Sequence, residues 1–368
     1  MTTPLAAVWP KLGERLDHVS LGNFPTPVER LSAFEAEASG AALYVKRDDL
    51  SAEAYGGNKV RTLEVLFARA RARGASEIIA TGAFGSNHAV ATVLHARRAG
   101  LASGAVLFPQ PPSFAALENL RVTLARAERL VVLPHWSLLP YGMWRASGAG
   151  RSVMVPGGAT PLGALGYVAA AFELAEQVTR GELPAPRRIY IGIGSTCTTA
   201  GLLVGFAHAA RLGIGFRKPP EVVAVRVTPW PVTGRFRILS LAVGASELLA
   251  ELAGDSTLRL SRRELSPNLA IDGSALGPGY GKPSQPGLSA LELFRKHGLF
   301  ELDTTYSSKA AAGFLEGARR APSEASLFWS TKSTRPLPTI EAKELAGAPA
   351  VALRWIARAE SRGQGRRI

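Results

Sequence analysis

The sequence predicts an α/β protein with mostly parallel strands flanked by helices, arranged as two interwoven domains. Three observations carry this. Short β-branched runs alternate with helical patterns along the chain. The segments richest in glycine and small hydroxyl residues fall where a predicted strand passes into a predicted helix, the edge where α/β sheets bind ligands. The chain has 368 residues, more than one compact core usually organises, and no stretch of distinctive composition marks a linker between successive units.

Strands are predicted over 42–45, 77–81, 105–108, 130–133, 152–155, 188–193, 221–227 and 326–329, each short and β-branched or apolar. Between them, 3.6-residue periodicity predicts helices over 59–72, 88–98, 115–127, 162–178 and 200–212, then 288–296 and 309–319. In the helix opened by Lys59, the residues Leu63, Leu66, Phe67 and Ala70 share one face, with Arg61, Arg69 and Arg73 expected off it. Gly74 and Gly100 stand where C-terminal caps belong. The segment 217–268 is weakly patterned, with one helix expected near 246–252.

Composition removes several classes of function. Apolar residues make up 46% and charged residues 20%, which excludes a disordered or coiled-coil chain. The single cysteine, Cys197, excludes an internal disulfide framework and a cysteine-rich zinc site, and fits a reducing compartment. The six histidines show no metal-ligand spacing. The net charge of +14 admits nucleic acid as a partner, but only nine of the 43 cations are lysine and they form no stripe. The densest run, from Arg358 to Ile368, reads as a solvated tail, so nucleic-acid binding is not expected as the main function. The longest uncharged stretch, 189–210, contains four glycines and His208 and reads as strand, loop and helix instead of a membrane span. A soluble, cytoplasmic protein is the expectation.

Four segments could carry chemistry. In the first, Gly56-Gly57-Asn58-Lys59, the glycines permit a tight turn and Asn58 can cap the helix that Lys59 begins. A lysine in a first helical turn is opposed by the macrodipole, which favours a partly neutral amine able to form a Schiff base; a plain surface lysine is the other reading. In the second, Gly85-Ser86-Asn87-His88-Ala89, Ser86 and Asn87 can cap a helix or bind a ligand, and His88 reads most simply as a satisfied buried histidine. In the third, Gly194-Ser195-Thr196-Cys197-Thr198-Thr199, an apolar strand enters a hydroxyl-rich bend that opens a helix and can cradle a phosphate. It lacks Gly-Lys-Ser/Thr and the third glycine of a dinucleotide fingerprint, so a small phosphorylated cofactor suits it better than a nucleotide. The fourth joins Gly279-Tyr280-Gly281 with Thr305-Tyr306-Ser307-Ser308-Lys309, where two phenols could supply protons.

Taken in order, these segments resemble the pyridoxal-phosphate enzymes of the tryptophan-synthase-β-like group (fold type II). Within that group they are similar to the 1-aminocyclopropane-1-carboxylate deaminase / D-cysteine desulfhydrase family. The match extends from Phe24-Pro25-Thr26-Pro27 through Lys46-Arg47-Asp48-Asp49, the lysine and Ser86-Asn87-His88 motifs and Gly163-Ala164-Leu165-Gly166-Tyr167 to the two tyrosine segments. The resemblance implies pyridoxal 5′-phosphate held covalently by Lys59, with Asn58 beside it and Asn87 on the ring hydroxyl. It implies the phosphate on Ser195, Thr196, Cys197, Thr198 and Thr199, and Ser307 near the ring nitrogen. Ser86 would face the substrate carboxylate or its proton, with Asn87 and His88 beside it, and Tyr280 and Tyr306 would flank the β-carbon. It implies a homodimer acting on a small amino acid, with residues 60–165 as a smaller inserted domain and 1–59 with 166–368 as the larger one.

Deaminases of this family carry glutamate after the second tyrosine, where this chain has Ser307. A neutral group there weakens the electron sink and favours α,β-elimination of D-cysteine or another β-substituted amino acid over cyclopropane opening. The alternatives are a cyclopropane-carboxylate deaminase, or a cofactor- or nucleic-acid-binding protein without turnover. The family's His-Thr-Gly-Gly segment reads Trp329-Ser330-Thr331-Lys332-Ser333-Thr334 here, a departure at the expected cofactor rim that bears on the substrate.

Overall fold

The computed structural model describes residues 4–361, apart from positions 229 and 231. Among the described residues, ten strands form two sheets. The strands are β1 (Val28–Arg30), β2 (Leu43–Lys46), β3 (Glu77–Ala83), β4 (Ala102–Phe108), β5 (Arg129–Val132), β6 (Arg151–Val153), β7 (Arg188–Ile193), β8 (Glu221–Arg226), β9 (Leu269–Asp272) and β10 (Ser326–Trp329). The larger sheet has the order β1-β2-β10-β7-β8-β9, all parallel but for β1, and the smaller has the order β5-β4-β3-β6, all parallel. Eight of the ten were predicted; six of these, β2, β3, β4, β7, β8 and β10, lie inside the sheets, where burial on both faces explains their apolar runs, while β5 and β6 are half-buried edges. The two missed strands, β1 and β9, are short sheet edges without a fully buried run.

Period-2 alternation divides the larger sheet between two cores. Ile189, Ile191, Leu327 and Trp329 join helices Pro161–Thr179, Cys197–Arg211 and Arg235–Ala253 on one face. Tyr190, Val223, Val225 and Phe328 join helices Gln285–Lys296 and Ser307–Arg320 on the other. The smaller sheet packs Ile78 and Ala80 against helices Lys59–Ala72, Asn87–His95 and Phe114–Arg126. The same core takes Ala352, Ile356 and Ala359 from a C-terminal helix, Ala350–Ser361.

Several expectations are corrected here. The segment 217–268 contains a 19-residue helix, Arg235–Ala253, whose core face is built largely from alanine and leucine and so gave a weak periodic signal. The tail beginning at Arg358 is still helical through Ser361, with Ala359 buried; its last seven residues lie outside the described residues. Arg61 is 4% exposed and lies in a helix whose first seven residues are all buried. Gly74 and Gly100 do have the left-handed φ of +75° and +69° that a terminating glycine supplies.

Arg61 is buried because two carboxylates hold it. Its guanidinium donates to Asp48 at 2.8 and 3.0 Å and to Glu173 at 2.9 Å through each of two nitrogens, and it stacks 4.1 Å from the centre of the Phe24 ring. Lys46 donates to the same Glu173 at 2.5 Å and to Gln177, and Tyr167 donates to Asp48 at 2.6 Å. Two cations and two anions thus balance in a site closed to water. Burial opposes ionisation of Asp48, but Arg61 and Lys46 overcome it and hold its pKa down at about 2. The network ties β2 to the helices Lys59–Ala72 and Pro161–Thr179, and so fixes the start of the helix that carries Lys59.

Candidate active site

Three strands of the larger sheet and one of the smaller deliver the candidate residues at their carboxyl ends. After β2 come Gly56 to Lys59, after β3 Ser86 to His88, after β7 Ser195 to Thr199, and after β10 Lys332. Segments far apart in sequence therefore meet at one edge.

Lys59 is the first residue of its helix and 8% exposed, with Nζ donating to the Gly157 carbonyl and to Ser195 Oγ, both at 3.1 Å. Burial lowers its pKa, and none of its hydrogen-bond acceptors is a carboxylate. The lysine and the hydroxyl-rich bend are thus in direct contact. Gly157 allows it: its φ is +69°, and an added Cβ would fall 2.3 Å from Ser195 Cβ.

The bend turns at Thr196, a non-glycine residue with φ of +71°, and opens the 15-residue helix Cys197–Arg211. Thr196 Oγ1 is buried without a hydrogen-bond partner, while Thr198 Oγ1 accepts from Asn58 Nδ2 at 3.0 Å. Asn58 therefore makes no side-chain cap for its own helix, as had been expected, and instead ties the lysine turn to the bend. Thr199 is buried in the first helical turn. Cys197 aims its thiol at the Gly158 carbonyl, 3.4 Å away, and burial pushes its pKa up.

Ser86 caps the helix Asn87–His95, accepting from Ala89 N at 3.2 Å. Asn87 Oδ1 accepts from Tyr55 Oη at 3.1 Å and Asn119 Nδ2 at 2.8 Å, which points its own amide nitrogen elsewhere. His88 is buried against the Gly158 backbone, but both ring nitrogens lack a partner, so it is not the satisfied core histidine expected. Burial, then the charge of Lys59, lowers its pKa to about 3, and the ring is neutral.

Tyr280 and Tyr306 share a 2.6 Å hydrogen bond between their hydroxyls. Tyr306 also lies against the bend, since a Cβ on Gly194 would be 3.2 Å from its ring. Burial raises both phenol pKa values, that of Tyr306 well above the ordinary value, so both are protonated. Buried Lys309 joins their segments by donating to the carbonyls of Leu276 at 2.8 Å and Gly279 at 3.0 Å. Ser307 Oγ donates to Asp303 Oδ1 at 2.7 Å, and the Asp303 carboxylate also accepts from the N–H groups of Thr305, Tyr306 and Ser307. Of the departed segment, Trp329 is fully buried inside the sheet and not on a rim. The next residues pack on the lysine turn: Asn58 N donates to the Thr331 carbonyl at 2.9 Å, and Gly57 supplies the close approach with a φ of +95°.

Asp303, Lys309, Asn119 and Tyr55 were not singled out as site residues from sequence. Lys309 and Asp303 flank the second tyrosine, and their two charges in an otherwise neutral stretch were the available signal. Asn119 and Tyr55 gave none.

The unpartnered groups suit pyridoxal phosphate. A buried amine without a carboxylate acceptor lies beside a hydroxyl-rich helix start with an orphaned Thr196 hydroxyl, and the Asn87 amide nitrogen and His88 ring are also without partners. The sequence profile of the family described as pyridoxal-phosphate dependent enzyme matches residues 19–327. The chain belongs to that family. A nocardicin C-9′ epimerase of Nocardia uniformis subsp. tsuyamanensis is 33% identical over 302 residues, spanning 79% of this chain and 86% of that protein. A D-cysteine desulfhydrase of Serratia proteamaculans is 33% identical over 304 residues, spanning 79% and 85%. A crystal structure of an ACC deaminase homologue, 29% identical, superimposes with a TM-score of 0.72 over 90% of this chain and 95% of that one. The protein is a pyridoxal 5′-phosphate-dependent enzyme of fold type II, related to D-cysteine desulfhydrase and ACC deaminase. No helix among the described residues is long and apolar enough to cross a membrane, and no cluster of three potential metal ligands occurs among them.

Proposed function

We propose that the protein catalyses α,β-elimination of a small β-substituted amino acid, D-cysteine or a relative, giving a 2-oxo acid and ammonia. The observation that carries this is the meeting of the buried Lys59 amine, the bend at Ser195 and the protonated pair Tyr280–Tyr306. Lys59 would hold the cofactor through its amine, residues 195–199 its phosphate, and Asn87 its ring hydroxyl, with Ser307 near the ring nitrogen. Bound pyridoxal phosphate supplies an electron sink for the charge that develops when a substrate Cα–H bond breaks.

The protein's own groups divide the remaining work. Lys59, of lowered pKa, takes the α-proton, while Ser86 and the helix start behind it receive the substrate carboxylate. His88, held neutral, offers hydrogen bonds without adding positive charge beside the amine. The tyrosine pair acts as acid and not as base: one hydroxyl donates to the other, and the second is free to donate to a leaving group at the β-carbon. Ser307 gives a neutral hydroxyl where a carboxylate would strengthen the sink, and the carboxylate behind it, on Asp303, already accepts from three N–H groups. This favours substrates that carry their own leaving group over ring opening. We further propose residues 60–165 as a smaller domain over the cofactor cleft, and a cytoplasmic homodimer as the working form.

Two measurements test the reading. Borohydride reduction of the holoenzyme followed by peptide mass spectrometry should fix the cofactor on Lys59, and a label on any other lysine refutes that role. Ammonia and 2-oxo acid release from D- and L-cysteine, β-chloroalanine and 1-aminocyclopropane-1-carboxylate should be seen for the β-substituted compounds. The Nocardia relative favours a second reading, epimerisation, which requires the same proton removal. Loss of optical activity in deuterium oxide without ammonia would establish it instead.

A further inference from the structure

Lys332 lines two neighbouring cavities. Its backbone bridges to Gly57, two residues before Lys59, and it lines a small inner recess with Asn87, Tyr280 and Tyr306. It also lines an outer cavity of about 480 Å³. Pockets of roughly 300–1,000 Å³ bury drug-sized ligands. The outer cavity is therefore larger than a three-carbon amino acid needs, and it shares Lys332 and Asp303 with the recess toward which a β-substituent would project.

The ammonium is poised for an anion. It donates to Tyr55 Oη at 2.9 Å and lies 4.9 Å from the centre of that ring. An ammonium has three N–H donors, and the other two have no acceptor among the described residues. Of the acidic groups lining the outer cavity, Asp303 is engaged on the helix start and Glu301 with Arg295 at 3.5 Å, while Glu118 adds to the field that keeps Lys332 charged without accepting one of its hydrogen bonds. Burial works against the charge of Lys332, but the Tyr55 oxygen and the Asp303 carboxylate outweigh it and raise the pKa, so the group is a cation at neutral pH. Tyr55 Oη donates onward to Asn87, so this cation is also rigidly placed relative to the site.

We propose that Lys332 is a specificity residue that binds an anionic group at the far end of the substrate's β-substituent, making amino acids with a carboxylate-bearing side chain the preferred substrates. This rests on the elimination reading. For S-carboxymethylcysteine the Cα–H and Cβ–S bonds break, thioglycolate leaves with a proton, and water converts the remaining enamine to pyruvate and ammonia. An anion–ammonium hydrogen bond gained in a sheltered site corresponds to about 10- to 100-fold in affinity.

The test compares S-carboxymethylcysteine with its uncharged isostere S-(carbamoylmethyl)cysteine, in both enantiomers, on the holoenzyme. The wild type should favour the carboxylate by at least tenfold in kcat/KM, chiefly through KM. Lys332→Met should erase the preference, and Lys332→Arg should retain most of it. Equal use of the two compounds by the wild type, or a preference that survives Lys332→Met, overturns the proposal. So does an equal loss on both compounds in Lys332→Met, which would place the ammonium on the α-carboxylate. Ammonia release from β-chloroalanine by the wild type reports the elimination reading separately. If that fails, calorimetric binding of the two ligands to cofactor-loaded Lys59→Ala protein, with and without Lys332→Met, still decides: a tenfold preference lost with Lys332 supports the assignment, and equal affinities refute it.

Discussion

Replacing Glu173 by glutamine tests whether the buried charge network governs the lysine helix. Glu173 Oε1 accepts from Thr26 N at 2.9 Å, Lys46 at 2.5 Å and Arg61 at 2.9 Å, and Oε2 accepts from Arg61 at 2.9 Å. Glutamine turns one of these acceptors into a donor facing donors, and leaves Lys46 and Arg61 with Asp48 as their remaining carboxylate. Breaking a buried pair in this way costs about 3–5 kcal/mol. With an unfolding entropy of about 2.1 cal/mol/K per residue, a cost of about 4 kcal/mol over this chain lowers Tm by roughly 5 °C. The loss should also depend on pH. Burial lowers the pKa of Lys46, and without Glu173 to oppose burial it falls further. A lysine whose pKa is lower in the fold than in the unfolded chain makes the unfolded state bind more protons, so stability rises with pH and the deficit narrows toward pH 10. Melting by calorimetry at fixed cofactor concentration reads both effects. A Tm within 1 °C of wild type at pH 7, or a deficit unchanged at pH 9.5, would refute the reasoning. The double variant Lys46→Met/Glu173→Leu, which removes one charge of each sign, should be more stable than Glu173→Leu alone.

Other perturbations probe the site. Tyr280→Phe and Tyr306→Phe should each lower kcat on D-cysteine by about 100-fold. The fall should be much smaller on β-chloroalanine, because chloride leaves without a proton; equal losses on both substrates would remove the tyrosines from leaving-group protonation. Gly157→Ala should weaken pyridoxal phosphate binding at least tenfold in reconstitution of the apoprotein, since its Cβ would displace Ser195 from Lys59. His208, remote from the site with Nε2 on the Leu258 carbonyl, has a pKa lowered to about 4, first by burial and then by Arg211. It is neutral in the fold and protonated when unfolded below pH 6.5, so its contribution is complete above pH 6.5 and declines as pH falls toward 4. His208→Gln should reduce the slope of stability against pH near pH 5 by about 1.4 kcal/mol per unit, measured by denaturant titration.

Much of this architecture is legible in the sequence because parallel strands buried on both faces must be apolar throughout. The runs at 188–193 and 326–329 were bounded to the residue for that reason. Edges such as β1 gave no such signal, and the helix Arg235–Ala253 hid behind small residues whose burial is a matter of shape. In the site, local chemistry was legible where a motif contained its own explanation, as at Ser86, which caps its helix as the spacing suggested. It was illegible where a partner lay far along the chain. Asn58 looked like a cap and instead bonds Thr198, 140 residues away, and Arg61, expected off the apolar face of its helix, is buried because Asp48 and Glu173 supply its counter-charges.

The nine lysines show why such partners decide function. Lys59 and Lys332 are brought close by the Gly57–Lys332 bridge, yet their surroundings shift their pKa values in opposite directions. Lys59 meets a carbonyl and a hydroxyl, so desolvation outweighs the opposing pull of Cys197 and its pKa is lowered. Lys332 meets a phenol oxygen and the field of Asp303, so it retains its proton. An arginine could not fill the first role, being permanently charged, and a nucleophile beside a second free amine would have a competitor for the same aldehyde. Keeping Lys332 protonated therefore protects the assignment of the cofactor to Lys59 as much as it serves an anionic substrate. Tyr55, which holds Lys332 on one side and Asn87 on the other, links the two requirements.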